Sequence, residues 1–263
     1  GPGAAGIANG RSTIDIDCLA FPVEGHQPGS AWNGHHGVRC YDPLIAGSAA
    51  GAKPFIRDVV ERSEHHLCQV ALIRLDAGFV GSELYEYFEA NHLEYVVCMA
   101  KNPVLQRHAE PLLEPLREAV AGGETPQATF SECLYRAGPW KRCRRVIIKA
   151  GIALHPGRTP KDNPRFVVTN LKGDPRQIYE QIYCARGDAE NRIKELKDGL
   201  QIDRTSCTSF HANQFRALIT AAAYVLMQEL RLKVRHTTCA KAQVSTLRLR
   251  LLKLGAWVER SVR

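Results

Sequence analysis

The stretch that most constrains the fold runs from residue 174 to residue 200 and has the pattern of one long amphipathic helix. Asp174 is a favoured N-cap residue, Pro175 suits the first helical position, and Gln177 completes a capping-box pattern. Apolar residues then recur at steps of three and four, which predicts one buried stripe. The stripe consists of Ile178, Ile182, Ala185, Ala189, Ile193, Leu196 and Leu200.

Four polar residues, Tyr183, Arg186, Glu190 and Lys197, lie beside this stripe. At about 100° per residue they share a helix face roughly 60° wide. A carboxylate flanked by cations at the rim of an apolar stripe could hold a metal ion while the cations hold phosphates. On charges alone, however, an amphipathic helix with i,i+4 ion pairs is the better explanation.

The spacing of these residues favours the functional interpretation, because it resembles the Y-R-E-K signature of DDE transposases from bacterial insertion sequences. In that signature two residues separate Tyr from Arg, three separate Arg from Glu, and six separate Glu from Lys. The resemblance implies that Glu190 is the third catalytic carboxylate. It also implies that Tyr183, Arg186 and Lys197 contact DNA near the cleaved end, so we expect these three side chains to be at least partly exposed.

A candidate for the first catalytic carboxylate stands in segment 12–19, which alternates like a strand. Asp15 and Asp17 point to the same side of that strand, where carboxylates are usually surface residues. The family places its first catalytic Asp at the end of such a strand, and Asp17 is the better match. Leu19 stands where the family carries Thr, which leaves the choice between Asp15 and Asp17 open.

A near-continuous apolar run, 70–79, suits a central strand buried on both faces. Asp76 stands at its carboxyl end, where α/β sheets place their sites. An Asp before Gly is also common in turns. The sequence from Arg74 to Phe79 matches the Arg-x-Asp-x-Gly-Phe context of the family's second catalytic Asp, which favours a catalytic role for Asp76.

The resemblance implies an α/β fold, a ribonuclease H-like mixed sheet with flanking helices and a β-rich insertion. We expect the first part of the catalytic domain at 12–102, the insertion at 103–165, the second part at 166–230 and a basic tail at 231–263. Segment 38–44 is predicted as the second strand of the sheet. Segment 46–53 has no strand character, although the fold requires a third strand there.

The expected chemistry is metal-dependent DNA cleavage and strand transfer at insertion-sequence ends. Two Mg²⁺ ions, with Mn²⁺ as a substitute, would activate the attacking oxygen and stabilise the leaving oxygen. Asp17, Asp76 and Glu190 would hold them, with their carboxyl groups roughly 4–8 Å apart. The alternative, favoured by the missing strand, is a catalytically inactive DNA-binding remnant or a domesticated transposase.

Charge and composition limit the kinds of partner that this chain can bind. The net charge is +8, and the tail 231–263 holds nine Lys and Arg with Glu259 as its one acidic residue. This charge predicts either a polyanionic partner such as DNA or a solvated, poorly ordered terminus. A second basic cluster with aromatic residues spans 131–145 and predicts either a DNA contact or an exposed hairpin.

The nine cysteines form no CxxC pair, which indicates reduced thiols and a cytoplasmic protein. The sequence shows no membrane span or signal peptide, and it admits a homodimer.

Overall fold

The computed structural model describes residues 11–16, 21–23, 27, 30–33, 38–41, 52–66, 69–79, 81–253 and 255. These residues fall into two compact units. The first takes in those within Gly1–Asp17 and Leu44–Gly187, and the second those within Cys18–Pro43 and Asp188–Arg263.

The described strands are β1 (Arg11–Ile16), β2 (Phe21–Pro22), β3 (Ala31–Asn33), β4 (Val38–Tyr41), β5 (Gln69–Leu75), β6 (Glu94–Met99), β7 (Thr129–Tyr135), β8 (Arg144–Ala150), β9 (Ile152–Ala153), β10 (Lys161–Asp162) and β11 (Arg165–Thr169). The described α-helices are α1 (Ala52–His66), α2 (Ser82–Ala90), α3 (Pro103–Ala121), α4 (Pro175–Gln177), α5 (Gly187–Lys194), α6 (Phe210–Lys233) and α7 (Val244–Leu247).

The first unit is built on a six-stranded mixed sheet with the order β1-β5-β6-β11-β8-β7. Strands β1, β5 and β6 are parallel, whereas β11, β8 and β7 join by antiparallel pairing. Its inner strands are rich in Val and Ile, which pack well on a pleated surface. This mixed sheet with flanking helices agrees with the ribonuclease H-like fold that the sequence predicts.

Helices cover both faces of this sheet. On one face Val96, Ile147 and Val167 form a core with Ile178 and Tyr179, from the helical segment after α4. The alternate residues of the same strands lie on the other face, and α1, α2 and α3 pack against strands β5, β6 and β8. Helix α3 begins at an N-cap, Asn102, whose side chain accepts hydrogen bonds from two backbone amides. The central strands are therefore buried on both sides.

Two sequence expectations differ from this arrangement. Segment 103–165, expected as a β-rich insertion, supplies helix α3 and two strands of the main sheet, β7 and β8. Segment 38–44, expected as the second strand of that sheet, instead supplies β4, which pairs with β2 and β3 in a separate three-stranded sheet. Short alternating strands carry no information about which sheet they join, because pairing is set by contacts remote in sequence.

The second unit combines that three-stranded sheet with α5, α6 and α7. Its apolar core contains Met227 from α6, Cys239, and Val244 and Leu247 from α7. Four further apolar residues of α6 recur at helical spacing but are more than half exposed: Phe215, Leu218, Ile219 and Leu226.

A buried ion pair ties helix α2 to the sheet of the first unit. The Arg144 guanidinium, 2% exposed, donates to both carboxylate oxygens of Glu89 at 2.7 and 3.0 Å. The Tyr95 hydroxyl donates to the same carboxylate at 3.0 Å, and the guanidinium carbon lies 5.2 Å from the Tyr85 ring centre and 5.3 Å from that of Trp140. Burial alone would raise the pKa of Glu89, but the hydrogen bonds from Arg144 and Tyr95 hold that pKa below its ordinary value.

Because this ion pair is buried, we expect Arg144→Gln to destabilise the protein far more than Arg57→Gln does. Arg144→Gln should lower the free energy of unfolding by about 3 kcal/mol, because the Glu89 carboxylate loses its partner in a buried setting. The control Arg57→Gln removes an exposed i,i+4 pair with Glu61 and should cost at most about 1 kcal/mol. Urea unfolding measures both. Equal losses would contradict the structural role assigned to Arg144.

Candidate active site

Asp76 occupies the position that the sequence predicts for it, directly after the carboxyl end of β5. Its Oδ1 accepts a hydrogen bond from the Gly78 amide at 2.8 Å. A Cβ atom on Gly78 would lie 3.1 Å from that oxygen, so the close turn favours glycine. The turn continues into buried Phe79, which anchors it in the core. One carboxylate oxygen of Asp76 is thus held by the backbone, while Oδ2 has no hydrogen-bond partner among the described residues.

Asp15 has both carboxylate oxygens occupied. Arg74 donates to Oδ1 through Nε at 2.6 Å and to Oδ2 through Nη2 at 2.5 Å. This arrangement makes Asp15 a structural counterion, which supports Asp17 as the better candidate for the first catalytic carboxylate. Asp17 itself lies outside the described residues. It follows Ile16, and Ile16 is registered with Leu75, the residue before Asp76.

The signature stretch is helical from Pro175 to Gly199 but is not one regular α-helix. Its start agrees with the prediction, since the Asp174 side chain accepts from the Gln177 amide at 2.9 Å. The helix type then changes along the chain: Ile178–Tyr183 is π-helical, Cys184–Arg186 is 3-10, α5 follows, and Glu195–Gly199 is again π-helical. A constant rotation of about 100° per residue therefore does not describe the signature face.

Tyr183 and Arg186 belong to the first unit. Tyr183 is half-buried, and its ring centre lies 5.3 Å from that of Tyr179. Burial, followed by a hydrogen bond with the Cys98 thiol, raises the pKa of Tyr183 well above its ordinary value, so the hydroxyl stays protonated. Arg186 is only 6% exposed. The expectation that Arg186 is partly exposed is therefore wrong. The spacing of apolar residues does not reveal the solvent exposure of a polar residue beside the stripe.

Glu190 and Lys197 belong to the second unit. Glu190 is exposed on α5, and Lys197 is half-buried. The apolar residues expected to be buried beside them, Ala189, Ile193 and Leu196, are partly buried.

A carboxylate that sequence reasoning overlooked, Glu195, organises the second unit. It accepts hydrogen bonds from Arg231 at 2.5 Å, Tyr224 at 3.0 Å and Arg192 at 3.1 Å. Burial alone would raise its pKa, but these donors hold the pKa below its ordinary value. The i,i+3 spacing from Arg192 is the one local sequence signal for this cluster, because Tyr224 and Arg231 are distant in sequence.

The basic and aromatic cluster at 131–145 is mainly structural. Trp140 and Arg144 are buried. Arg145 pairs with Glu132, and Lys141 pairs with Glu86 at 2.8 Å. Because most of these cations are engaged within the protein, the hairpin interpretation of this segment is favoured over the DNA contact.

The donors at the proposed site suit a hard divalent cation, because carboxylate oxygens are the ligands that Mg²⁺ prefers. The Oδ2 of Asp76, which accepts no hydrogen bond from a described residue, is consistent with that chemistry. Within the part of the chain that the structure describes, no three His, Cys, Asp or Glu side chains gather as a metal-binding group.

Comparison with known families supports a DDE transposase domain. The family model described as transposase DDE domain, group 1, matches residues 8–263. The chain belongs to this family. Membership supports a transposase-type function and implies DNA binding, and DDE transposases generally use divalent metal ions. No curated protein matches the transposase in sequence. Among its described residues, no helix is both long and apolar enough to cross a membrane.

The Glu195 cluster predicts a pH dependence for the transposase. A carboxyl whose pKa is lowered by folding contributes stability above its ordinary pKa of 4.5, and that contribution is lost as the pH falls through the lower folded-state pKa. Glu195→Gln should therefore cost roughly 2–3 kcal/mol near neutral pH, as expected for hydrogen bonds to a charged group. The cost should shrink below the ordinary pKa.

Urea unfolding at about pH 7 and about pH 3.5 measures this difference. Glu229→Gln, which changes an exposed carboxyl on α6, is the matched control and should be close to neutral at both pH values. A cost for Glu195→Gln that is the same at both pH values would contradict the charged state of the carboxyl.

Proposed function

We propose that this transposase cleaves DNA at the ends of an insertion sequence and transfers the cut strand into a target. Asp17, Asp76 and Glu190 act as the catalytic carboxylates and as ligands of two Mg²⁺ ions, for which Mn²⁺ substitutes. The observation that carries the proposal is the geometry of Asp76. It stands at the carboxyl end of a parallel strand, with one oxygen fixed by the Gly78 amide and the other without a hydrogen-bond partner in the described part of the chain.

Each residue has a distinct task in this proposal. When bound, divalent ions supply an activated water and charge stabilisation of the leaving oxygen. The Gly78 amide orients the Asp76 carboxylate, so that its second oxygen is presented to the ligand. Lys197 offsets phosphate charge, and the protonated Tyr183 hydroxyl can donate to a phosphate oxygen. Arg186 joins them only where DNA binding exposes its guanidinium, since it is buried in this structure.

A second function is favoured by one specific observation. Among the described residues, β1 pairs with β5 alone and is an edge strand, whereas the fold requires further strands beside it. A less constrained β1 favours a DNA-binding remnant without cleavage activity, since a displacement of ~1 Å at a catalytic group can cost a factor of ~100 in rate.

A carboxylate variant separates the two functions. Glu190→Gln should abolish metal-dependent nicking while DNA binding stays nearly intact, because Gln keeps the size of Glu but lacks the charge that attracts the ion. Glu180→Gln alters another exposed carboxyl of the same helical stretch and should nick normally. Nicking of supercoiled DNA with Mg²⁺ or Mn²⁺, beside a binding assay, provides the measurement.

Two outcomes would change the proposal. A Glu190→Gln protein that nicks as fast as the wild type would remove Glu190 from the mechanism. A wild type that binds DNA but cleaves none of the end sequences tried would favour the remnant.

The cations of the second unit predict a salt-sensitive DNA contact. Arg231 and Arg248 are engaged within the protein, whereas Lys241, Arg250 and Lys253 are exposed. Replacing these three exposed residues by Gln should flatten the plot of log affinity against log salt by about 0.9 for each lost phosphate contact. A matched triple change of exposed cations in the first unit, at Arg107, Arg158 and Lys172, provides the comparison. Equal slopes in both triple variants would exclude a dedicated contact in the second unit.

A further inference from the structure

Arg74 contacts two chain segments at once, and both lead to residues of the proposed site. Its Nε and Nη2 donate to the two oxygens of Asp15 on β1, and its Nη1 donates to the Ile182 carbonyl at 2.9 Å. The Arg74 and Asp15 side chains are 12% and 18% exposed. Ile182 precedes Tyr183, the first residue of the signature, and Arg74 itself stands two residues before Asp76.

Strand β1 needs such a contact more than the inner strands do. Within the described part of the sheet, β1 has a ladder of hydrogen bonds on its β5 side alone, and its register with β5 shifts between Ser12 and Thr13. A one-residue slip would turn every β1 side chain to the opposite face. Asp15 lies directly across from Arg74 in the observed register, so their two-point ion pair forms in this register and is lost after a slip.

The contact with Ile182 fixes a second element to the same point. The π-helical segment Ile178–Tyr183 packs on the sheet through Ile178 and Tyr179. Its last turn is also held by the Arg74 hydrogen bond, directly before the helix changes to 3-10 geometry. A rigid planar guanidinium can satisfy both partners simultaneously, whereas a lysine ammonium lacks this fork geometry.

We propose that Arg74 is a positioning residue for the transposition chemistry. It fixes two elements beside the end of β5, the strand that leads to Asp76. One element is the end of β1, which leads to Asp17. The other is the turn that carries Tyr183. This inference rests on the proposed function for its catalytic consequence, whereas its mechanical part concerns the folded first unit alone.

Hydrogen exchange on the full-length chain tests the mechanical part. Arg74→Gln should speed amide exchange about a hundredfold in 11–16 and in 178–183, because removing one partner of a mostly buried pair is strongly destabilising. Asp15→Asn should speed exchange in 11–16 to a greater extent than in 178–183. Exchange in β8 should stay unchanged as an internal reference.

The matched control is Arg62→Gln, which breaks an Arg–Asp pair with Asp58 on the surface of α1, where the side chains are 74% and 55% exposed. It should leave exchange in both segments at wild-type rates. If Arg74→Gln fails to fold, Arg74→Lys, which keeps the charge but not the fork, carries the same measurement. Exchange in both segments that matches the control would overturn the inference.

Single-turnover nicking tests the catalytic part. Arg74→Lys should slow nicking at saturating DNA by a factor of ~100 while leaving DNA affinity unchanged, as expected for misplaced catalytic groups. Normal nicking despite faster local exchange would overturn the positioning role. A wild type that never nicks would instead contradict the proposed function. In that case the hydrogen-exchange result would still test whether Arg74 holds its two segments.

Discussion

Burial of the central strands on both faces is the constraint on which the first unit depends. Val97, Ile147 and Val168 are fully buried, so any charged group at this sheet must find a partner within the protein. Two arginines meet that requirement, Arg74 with Asp15 and Arg144 with Glu89. Strand ends lie outside this enclosed region, so a polar group there needs no partner within the protein. Asp76 stands at such a place, which is why a carboxylate there can remain available to a ligand.

Local patterns predicted those parts of the structure that local forces decide. Strand β6 spans Glu94 to Met99, a short run rich in β-branched and apolar residues, and α6 begins at Phe210, where an apolar periodicity of three and four residues starts. The Asp174 cap also forms as predicted. In each case the signal depends on residues within one or two turns, and no competing contact from elsewhere in the chain overrides it. The position of Asp76 was predictable for the same reason, since a buried apolar run ending in Asp-Ala-Gly marks the end of a central strand.

The remaining features depend on contacts that a single sequence does not reveal. Strand β4 has ordinary strand character, yet its partners β2 and β3 place it outside the main sheet. The signature stretch has a regular apolar repeat, but π-helical and 3-10 turns change its rotation, and Arg186 is buried as a result of tertiary packing. The structural roles of Glu195 and Arg74 could not be predicted, because their decisive partners, Arg231 and Asp15, lie far from them in the chain.

The distinction between an active transposase and a remnant reduces to how well an edge strand is held. A strand paired on both sides has its register fixed by two ladders, and single side chains add little to it. Since β5 is its one neighbour among the described strands, β1 depends more on side-chain pairs, and a register shift near its start weakens even that ladder. The Asp15–Arg74 pair is then a larger share of what holds the strand end. Because Arg74 stands two residues before Asp76, the proposed cleavage chemistry depends on this pair to keep the strand end in place.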